Sequence, residues 1–240
     1  MRLLDLTLPT PAENIALDEA LLVEAEQGGG ELELLRVWES PDPLVVVGRG
    51  SAVAREVNVE ACWSDDVPIF RRCSGGTAIV AARGCLMYAV VLSYQKHPQL
   101  RSIDMAHQFV LSRIAEALAR VVPGVVRAGT SDLALQDCKV SGNSLRCRRD
   151  FLLYHGTLLY NMPLSLIQQY LRVPPRQPEY RRGRGHDQFV TNLPLDEVAV
   201  RDALSAAWEV SDQVTDWPED CTRELVKSRY AEASWNFQRP

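Results

Sequence analysis

The sequence predicts an α+β fold with a central mixed, mostly antiparallel sheet flanked by helices. Strand-like segments come in runs, with helical segments gathered between the runs instead of alternating one for one with the strands. No repeat, low-complexity tract or Gly/Ser-rich linker interrupts the 240 residues, so 1–240 is expected to form one domain. With 46% hydrophobic and 24% charged residues, the chain has the composition of a packed globular protein, and its length suffices for a single large core.

The elements follow in order. "NIALDEALLVEAEQ" (14–27) places apolar residues at helical spacing, with Asn14 as the expected N-cap and "GGG" (28–30) as the stop. "LELLRVWE" (32–39) and "PLVVVG" (43–48) read as strands, the second short, β-branched and buried. "NVEACW" (58–63) is a short helix capped by Asn58. "VPIFRR" (67–72), "TAIVAA" (77–82) and "LMYAVVLSY" (86–94) are three strands around a glycine-containing loop. "SIDMAHQFVLSRIAEALARVV" (102–122) is a long amphipathic helix that Pro123 and Gly124 stop. Then "SDLALQ" (131–136), "KVSGNSLRCR" (139–148) and "FLLYHGTLLYN" (151–161) are strand-like, with polar turns between them. Pro163 opens a helix to residue 173. A polar, arginine-rich loop covers 174–187, and helices over 195–210 and 221–235 close the chain.

Charge and cysteine usage narrow the function. A formal net charge of -5 argues against wholesale nucleic-acid or membrane binding. No apolar run approaches the roughly 18 residues of a membrane span, and the N-terminal stretch lacks a signal-peptide core. The six cysteines show no CxxC spacing, so neither a zinc site nor a disulfide framework is expected. A reduced, cytoplasmic protein is the plain expectation.

Four stretches carry candidate chemistry. In "RRCSGGTA" (71–78), consecutive backbone N–H groups of a glycine turn can cradle an anion, and Arg71 or Arg72 can clamp phosphate or carboxylate; the plain alternative is a tight turn with solvated arginines. Lys139 in "CKVSGNSLR" (138–146) can neutralise a phosphate or activated carboxylate, or be a solvated strand lysine. His155 beside Gly156 reads as a hydrogen-bonded core histidine, since nothing in the sequence pairs it with a nucleophile. "YRRGRGH" (180–186) reads as a mobile charged loop, with ordering over an acidic ligand or partner as the alternative.

Together and in this order, these segments resemble the lipoate–protein ligase, octanoyltransferase and biotin protein ligase superfamily, most closely the lipoate–protein ligase A catalytic domain. "NIALDEALL" is similar to the opening helix, and "LRVWESPDPLVVVGRGSAVAREVNVEAC" to the first two strands and their link. "RRCSGGTA" is similar to the lipoyl-binding loop, and "GTSDLAL" with "KVSGNSLR" to the aspartate strand and lysine loop. "YHGTLL" and "FVTNL" complete the series.

The resemblance implies a biotin/lipoate ligase-like fold and attachment of lipoate or octanoate, in amide linkage, to a lysine of a lipoyl-carrier protein. The carrier would be a dehydrogenase lipoyl domain, a glycine-cleavage carrier or a dedicated lipoate-binding protein. It implies ATP with magnesium as co-substrate and a lipoyl-AMP intermediate. Arg71, Arg72, Ser74, Gly75, Gly76 and Thr77 would surround the acyl-adenylate, and Lys139 would be catalytic. Gly142 and Asn143 would line the pocket, with His155, Gly156 and Thr157 as its floor.

Three departures qualify this. Thr77 and "VAAR" stand where many ligases carry a third glycine and a histidine, and Cys85 stands in place of the usual asparagine. The chain ends after its last helix, leaving no room for an accessory domain of roughly 80–100 residues; a separate accessory subunit is one way to supply that role. The cysteine nucleophile of octanoyltransferases is absent from both expected places, leaving Cys73 as a minor candidate. The ATP-dependent ligase is therefore favoured over a transferase using an acyl carrier protein thioester, or over a non-catalytic homologue that binds lipoate or the carrier.

Overall fold

A computed structural model describes residues 1–28, 33–174 and 176–239. The first half contains β1 (Arg2–Asp5), α1 (Pro11–Gly28), β2 (Leu34–Glu39), β3 (Leu44–Val47), α2 (Val53–Glu56), α3 (Val59–Ser64), β4 (Ile69–Arg71), β5 (Ile79–Ala81), β6 (Cys85–Ser93) and α4 (Ile103–Ala119). The second contains β7 (Val125–Ala128), β8 (Asp132–Leu135), β9 (Cys138–Cys147), β10 (Phe151–Leu159), α5 (Ser165–Tyr170), α6 (His186–Phe189), α7 (Glu197–Ala207), β11 (Asp212–Gln213), α8 (Glu219–Leu225) and α9 (Ala233–Asn236).

Eight strands form a mixed sheet in the order β11-β1-β2-β6-β10-β9-β8-β7. Only β1 pairs in parallel, with β11 and β2; the other pairs are antiparallel. The predicted fold class holds, but β3, β4 and β5 form a second, three-stranded sheet. Two prolines, Pro41 and Pro43, stand between β2 and β3 and lack the N–H needed to carry the first ladder onward.

Helices cover both faces of the large sheet, which is why β6 and β10 are buried at every residue. Leu86, Tyr88, Val90 and Leu92 of β6 join the core that includes α4 and α7. The alternate residues Ala89 and Val91 pack into the core under α1 instead, as a period of two requires.

Helix α1 begins earlier than expected. Thr10 and Glu13 form a capping box, Thr10 Oγ1 accepting from Glu13 N at 3.3 Å and Glu13 Oε2 from Thr10 N at 2.9 Å. Asn14 is not the N-cap; it is buried, and its side chain bonds both N and O of Leu8 at 2.8 Å. Of the expected "GGG" stop, Gly28 ends the helix, while Gly29 and Gly30 lie outside the described residues, as does Leu32 of the expected strand. Asn58 caps α3 as predicted. The final helix is broken into α8, a π-helical turn over Val226–Tyr230, and α9. No described helix is long and apolar enough to cross a membrane.

The turn after β3 packs on the loop between β4 and β5 at Gly48, where a Cβ would overlap the carbonyl of Gly76. Gly48→Ala is expected to destabilise the fold by about 1–3 kcal/mol. Gly50→Ala, with open space around its Cβ, serves as the near-neutral control in the same urea denaturation.

Candidate active site

The loop between β4 and β5 is built around one buried arginine. Arg72 is 7% exposed. Its Nε donates to Ser74 Oγ at 3.0 Å, and its terminal nitrogens donate to the carbonyls of Val46, Gly75 and Thr77. Burial lowers its pKa to about 10, so it remains a cation near neutrality.

Ser74 Oγ also lies 2.6 Å from His155 Nε2, and His155 Nδ1 lies 3.0 Å from Asp18 Oδ2. Asp18 Oδ1 in turn accepts from Arg36 at 2.6 Å. Ionised Asp18 can only accept, so His155 carries a ring proton on Nδ1 facing it, and Nε2 is hydrogen-bonded to the Ser74 hydroxyl. Burial alone would raise the Asp18 pKa, but the His155 hydrogen bond and the Arg36 charge outweigh it and hold the carboxyl below its ordinary value. His155 is thus a buried histidine hydrogen-bonded to both Ser74 and Asp18. The row has the order of a serine triad, yet Ser74 is 1% exposed and lines neither cavity described below. It fixes the loop and presents no nucleophile.

Two cavities open on this loop. The inner one is lined by apolar Ile15, Trp38, Val46 and Met87 together with Arg72 and His155. The outer one has apolar walls from Val80, Leu159, Ile167, Leu171 and Phe189, with Glu56, Arg172, Arg176 and Arg181 as its charged lining. Thr77, Gly142, Thr157 and Lys139 belong to both. Lys139 therefore stands where the two cavities join.

Lys139 Nζ lies 2.8 Å from Asp132 Oδ1, and Tyr180 donates to Asp132 Oδ2 at 2.8 Å. Gly142 leaves space for the lysine: a Cβ there would come within 2.8 Å of Nζ. A Cβ on Gly156 would overlap the Asn143 side chain, which donates to Ser131 O and Ser141 Oγ and accepts from Tyr88. The Gly142 amide donates to Thr157 Oγ1 at 3.3 Å, and Gly75 O accepts from Ser144 Oγ at 2.9 Å. Among the described residues no three His, Cys, Asp or Glu side chains gather to hold a metal.

Four of the expected site residues, Arg71, Cys73, Ser74 and Gly75, line neither cavity. Arg71 is fully buried and lines neither cavity; its guanidinium points to the carbonyls of Gly48, Ser51, Trp235 and Asn236. Cys73 is 4% exposed and lines neither cavity, and burial, followed by the nearby Glu19 and Asp18 carboxylates, raises its pKa to about 12. It is a packed thiol and no nucleophile. The 174–187 segment is also more ordered than expected, since Arg181 is buried and Arg184 donates to the carbonyls of Asp137, Tyr180, Arg181 and Gln188.

Residues 10–205 match the family of the lipoyl protein ligase A/B catalytic domain. The chain belongs to that family. An Aeropyrum pernix protein provisionally named lipoate-protein ligase A is 36% identical over 175 residues, covering 72% of this chain and 62% of its own length. The chain thus spans less than two thirds of the curated relatives it matches. A bi-partite lipoate protein ligase from Thermoplasma acidophilum, studied with its E2 lipoyl domain, superposes with a TM-score of 0.81 at 22% identity, covering 100% and 96% of the two chains. A lipoate-protein ligase A bound with ATP gives 0.80 at 23%, covering 100% and 99%. These likenesses establish the ligase fold.

Within this family member, sequence reading missed Asp18, Arg36, Trp38 and Tyr180 as parts of the site. The one available signal was an acidic pair, Asp18 and Glu19, inside an otherwise apolar helical run.

Two outcomes follow for the loop. Because the Asp18 pKa is depressed in the fold, its stabilisation is complete above the ordinary value of 3.8 and is lost as pH falls below it. Asp18→Asn is expected to flatten the acid limb of a urea-midpoint-versus-pH curve. In native protein, iodoacetamide is expected to modify exposed Cys147 and to leave Cys73 unmodified until denaturant is added.

Proposed function

We propose that the protein activates lipoate, or octanoate, with ATP and transfers the acyl group to a lysine of a lipoyl-carrier domain. One observation carries this reading: Lys139 lies at the junction of two cavities with apolar walls, one holding Arg72 and the other Arg172, Arg176 and Arg181. An acyl-adenylate has two parts to place there, a hydrocarbon tail joined through a mixed anhydride to a nucleotide.

A carboxylate is a poor acyl donor. In the first step its oxygen attacks the α-phosphorus of ATP, forming acyl-AMP and releasing pyrophosphate. Magnesium would enter with the nucleotide as part of that substrate. In the second step the carrier amine, having lost a proton, attacks the acyl carbonyl; the C–O bond to phosphate breaks and AMP leaves. Negative charge gathers on the carbonyl oxygen and the departing phosphate. A fixed ammonium at the junction stabilises both, with Asp132 and Tyr180 holding it there in the absence of substrate. The glycine loop contributes its shape: Arg72 makes four hydrogen bonds within or beside the loop, so its chief task is to hold the cradle.

The thioester-transferase reading has less support, since no cysteine lines either cavity among the described residues. Residues 1–240 would act as one catalytic domain. By analogy with the bi-partite T. acidophilum ligase, a separate subunit would supply an accessory role.

The test is the intact mass of an apo lipoyl domain after incubation with lipoate and MgATP, or with octanoylated acyl carrier protein and no ATP. A lipoyl mass increase in the first reaction only is expected, falling by about 10²–10³-fold in rate for Lys139→Ala. Acylation in the second reaction only, or full activity of Lys139→Ala, would overturn the assignment.

A further inference from the structure

The family match ends at residue 205, yet the residues beyond it are tied to the loop that shapes the site. We propose that residues 219–239 form a positioning strap for the glycine loop, acting through Arg71.

The guanidinium of Arg71 is bonded to six carbonyls. Three belong to the turn after β3, Gly48 (2.8 Å), Arg49 (3.3 Å) and Ser51 (2.8 Å). The other three belong to the C-terminal segment, Trp235 (3.2 Å), Asn236 (3.2 Å) and Arg239 (3.4 Å). The Arg71 backbone is held by the same segment: its N–H donates to Asn236 Oδ1 at 3.0 Å, and its carbonyl accepts from Trp235 Nε1 at 2.8 Å. A buried cation with no carboxylate among these hydrogen-bond partners depends on all of these dipoles. Removing the strap takes away half of the carbonyls at once.

The turn so held is the wall of the glycine loop. Arg49 N donates to Ser74 O at 2.8 Å, Ser51 Oγ donates to Gly76 O at 3.1 Å, and Gly48 packs directly on Gly76. A second arm runs from Arg239 O, which accepts from Val53 N at the start of α2. One turn on, Glu56 accepts from Ala78 N at 2.6 Å beside the outer cavity.

The strap is anchored at its other end to α1. Arg229 donates to both oxygens of Glu19 at 2.6 Å, and Tyr230 donates to the same carboxylate at 2.6 Å. Glu19 adjoins Asp18, and Arg71 adjoins Arg72. The strap therefore bears on the neighbours of both ends of the Asp18–His155–Ser74–Arg72 row while lining neither cavity itself.

Amide hydrogen exchange on the unliganded protein tests this without reference to substrate, so its outcome stands even if the proposed acyl transfer fails. In Asn236→Ala and Trp235→Phe, the Arg49, Arg72 and Ala78 amides, which are hydrogen-bonded around the loop, should exchange about tenfold faster, while β6 and β10 amides keep their protection. Asn236→Asp retains the acceptor for the Arg71 N–H and should recover the loop's protection. In the acylation assay the two weakening variants should raise KM for lipoate with kcat little changed. Unchanged loop exchange, or a rise shared equally by β6 and β10, would overturn the proposal. Should either variant fold poorly, Arg229→Lys, which loosens the far anchor, gives the same readout.

Discussion

The structure depends on a buried row of hydrogen bonds that runs Arg36–Asp18–His155–Ser74–Arg72 and joins a helix, two strands and a loop. Its five members come from four elements: β2, α1, β10, and two positions of the loop after β4. Arg36 also donates to Asn14 and to the carbonyl of Leu6, so the entry to α1 is fastened at the same point. Breaking such a buried pair by removing one partner typically costs about 3–5 kcal/mol, because the other charge is stranded. This explains why α1 carries Asn14, Asp18 and Glu19 on buried positions. The helix is a polar keystone with apolar packing on all sides.

What the row secures is a preformed cradle. A glycine-containing loop is entropically costly to order, and here that cost is met by side chains acting from beneath the backbone. Arg72 crosses the loop and binds its carbonyls, leaving the opposite surface to the cavity. The two cavities then meet at Lys139. The strands of both sheets supply apolar wall to each, and the arginine-rich segment between α5 and α6 adds Arg176 and Arg181 to the outer one. Lys139 at the junction is steered by Asp132 and Tyr180, so the cation is in position before any ligand arrives, which is what electrostatic preorganisation requires.

Much of this was readable from residue order. Residues of the glycine loop, the lysine strand and the "YHGTLL" strand come together at the cavities, where β9 and β10 pair through Gly156 and Asn143. Arg71 and Arg72 could not be told apart by composition; neighbouring residues in extended chain point to opposite sides, and only the fold shows which side holds the site. Asp18 and Arg36 were hidden because a partner 18 residues away becomes a neighbour only through tertiary packing. Short β1, β7 and β11 were missed, whereas the equally short β3, β4, β5 and β8 were read because each sits inside a longer strand-like segment bounded by turn residues. The Thr10 cap was passed over for Asn14, whose side chain instead faces inward.

The most direct measurement is the protonation pattern of the His155 ring, read from its 15N chemical shifts and long-range couplings in solution. The buried row requires a ring proton on Nδ1, toward Asp18, with Nε2 bonded to the Ser74 hydroxyl. That Nδ1 proton should be lost or redistributed in Asp18→Asn and persist in Lys139→Ala. A ring whose only proton lies on Nε2 in the native protein would contradict the row, and with it the account of how the glycine loop is held.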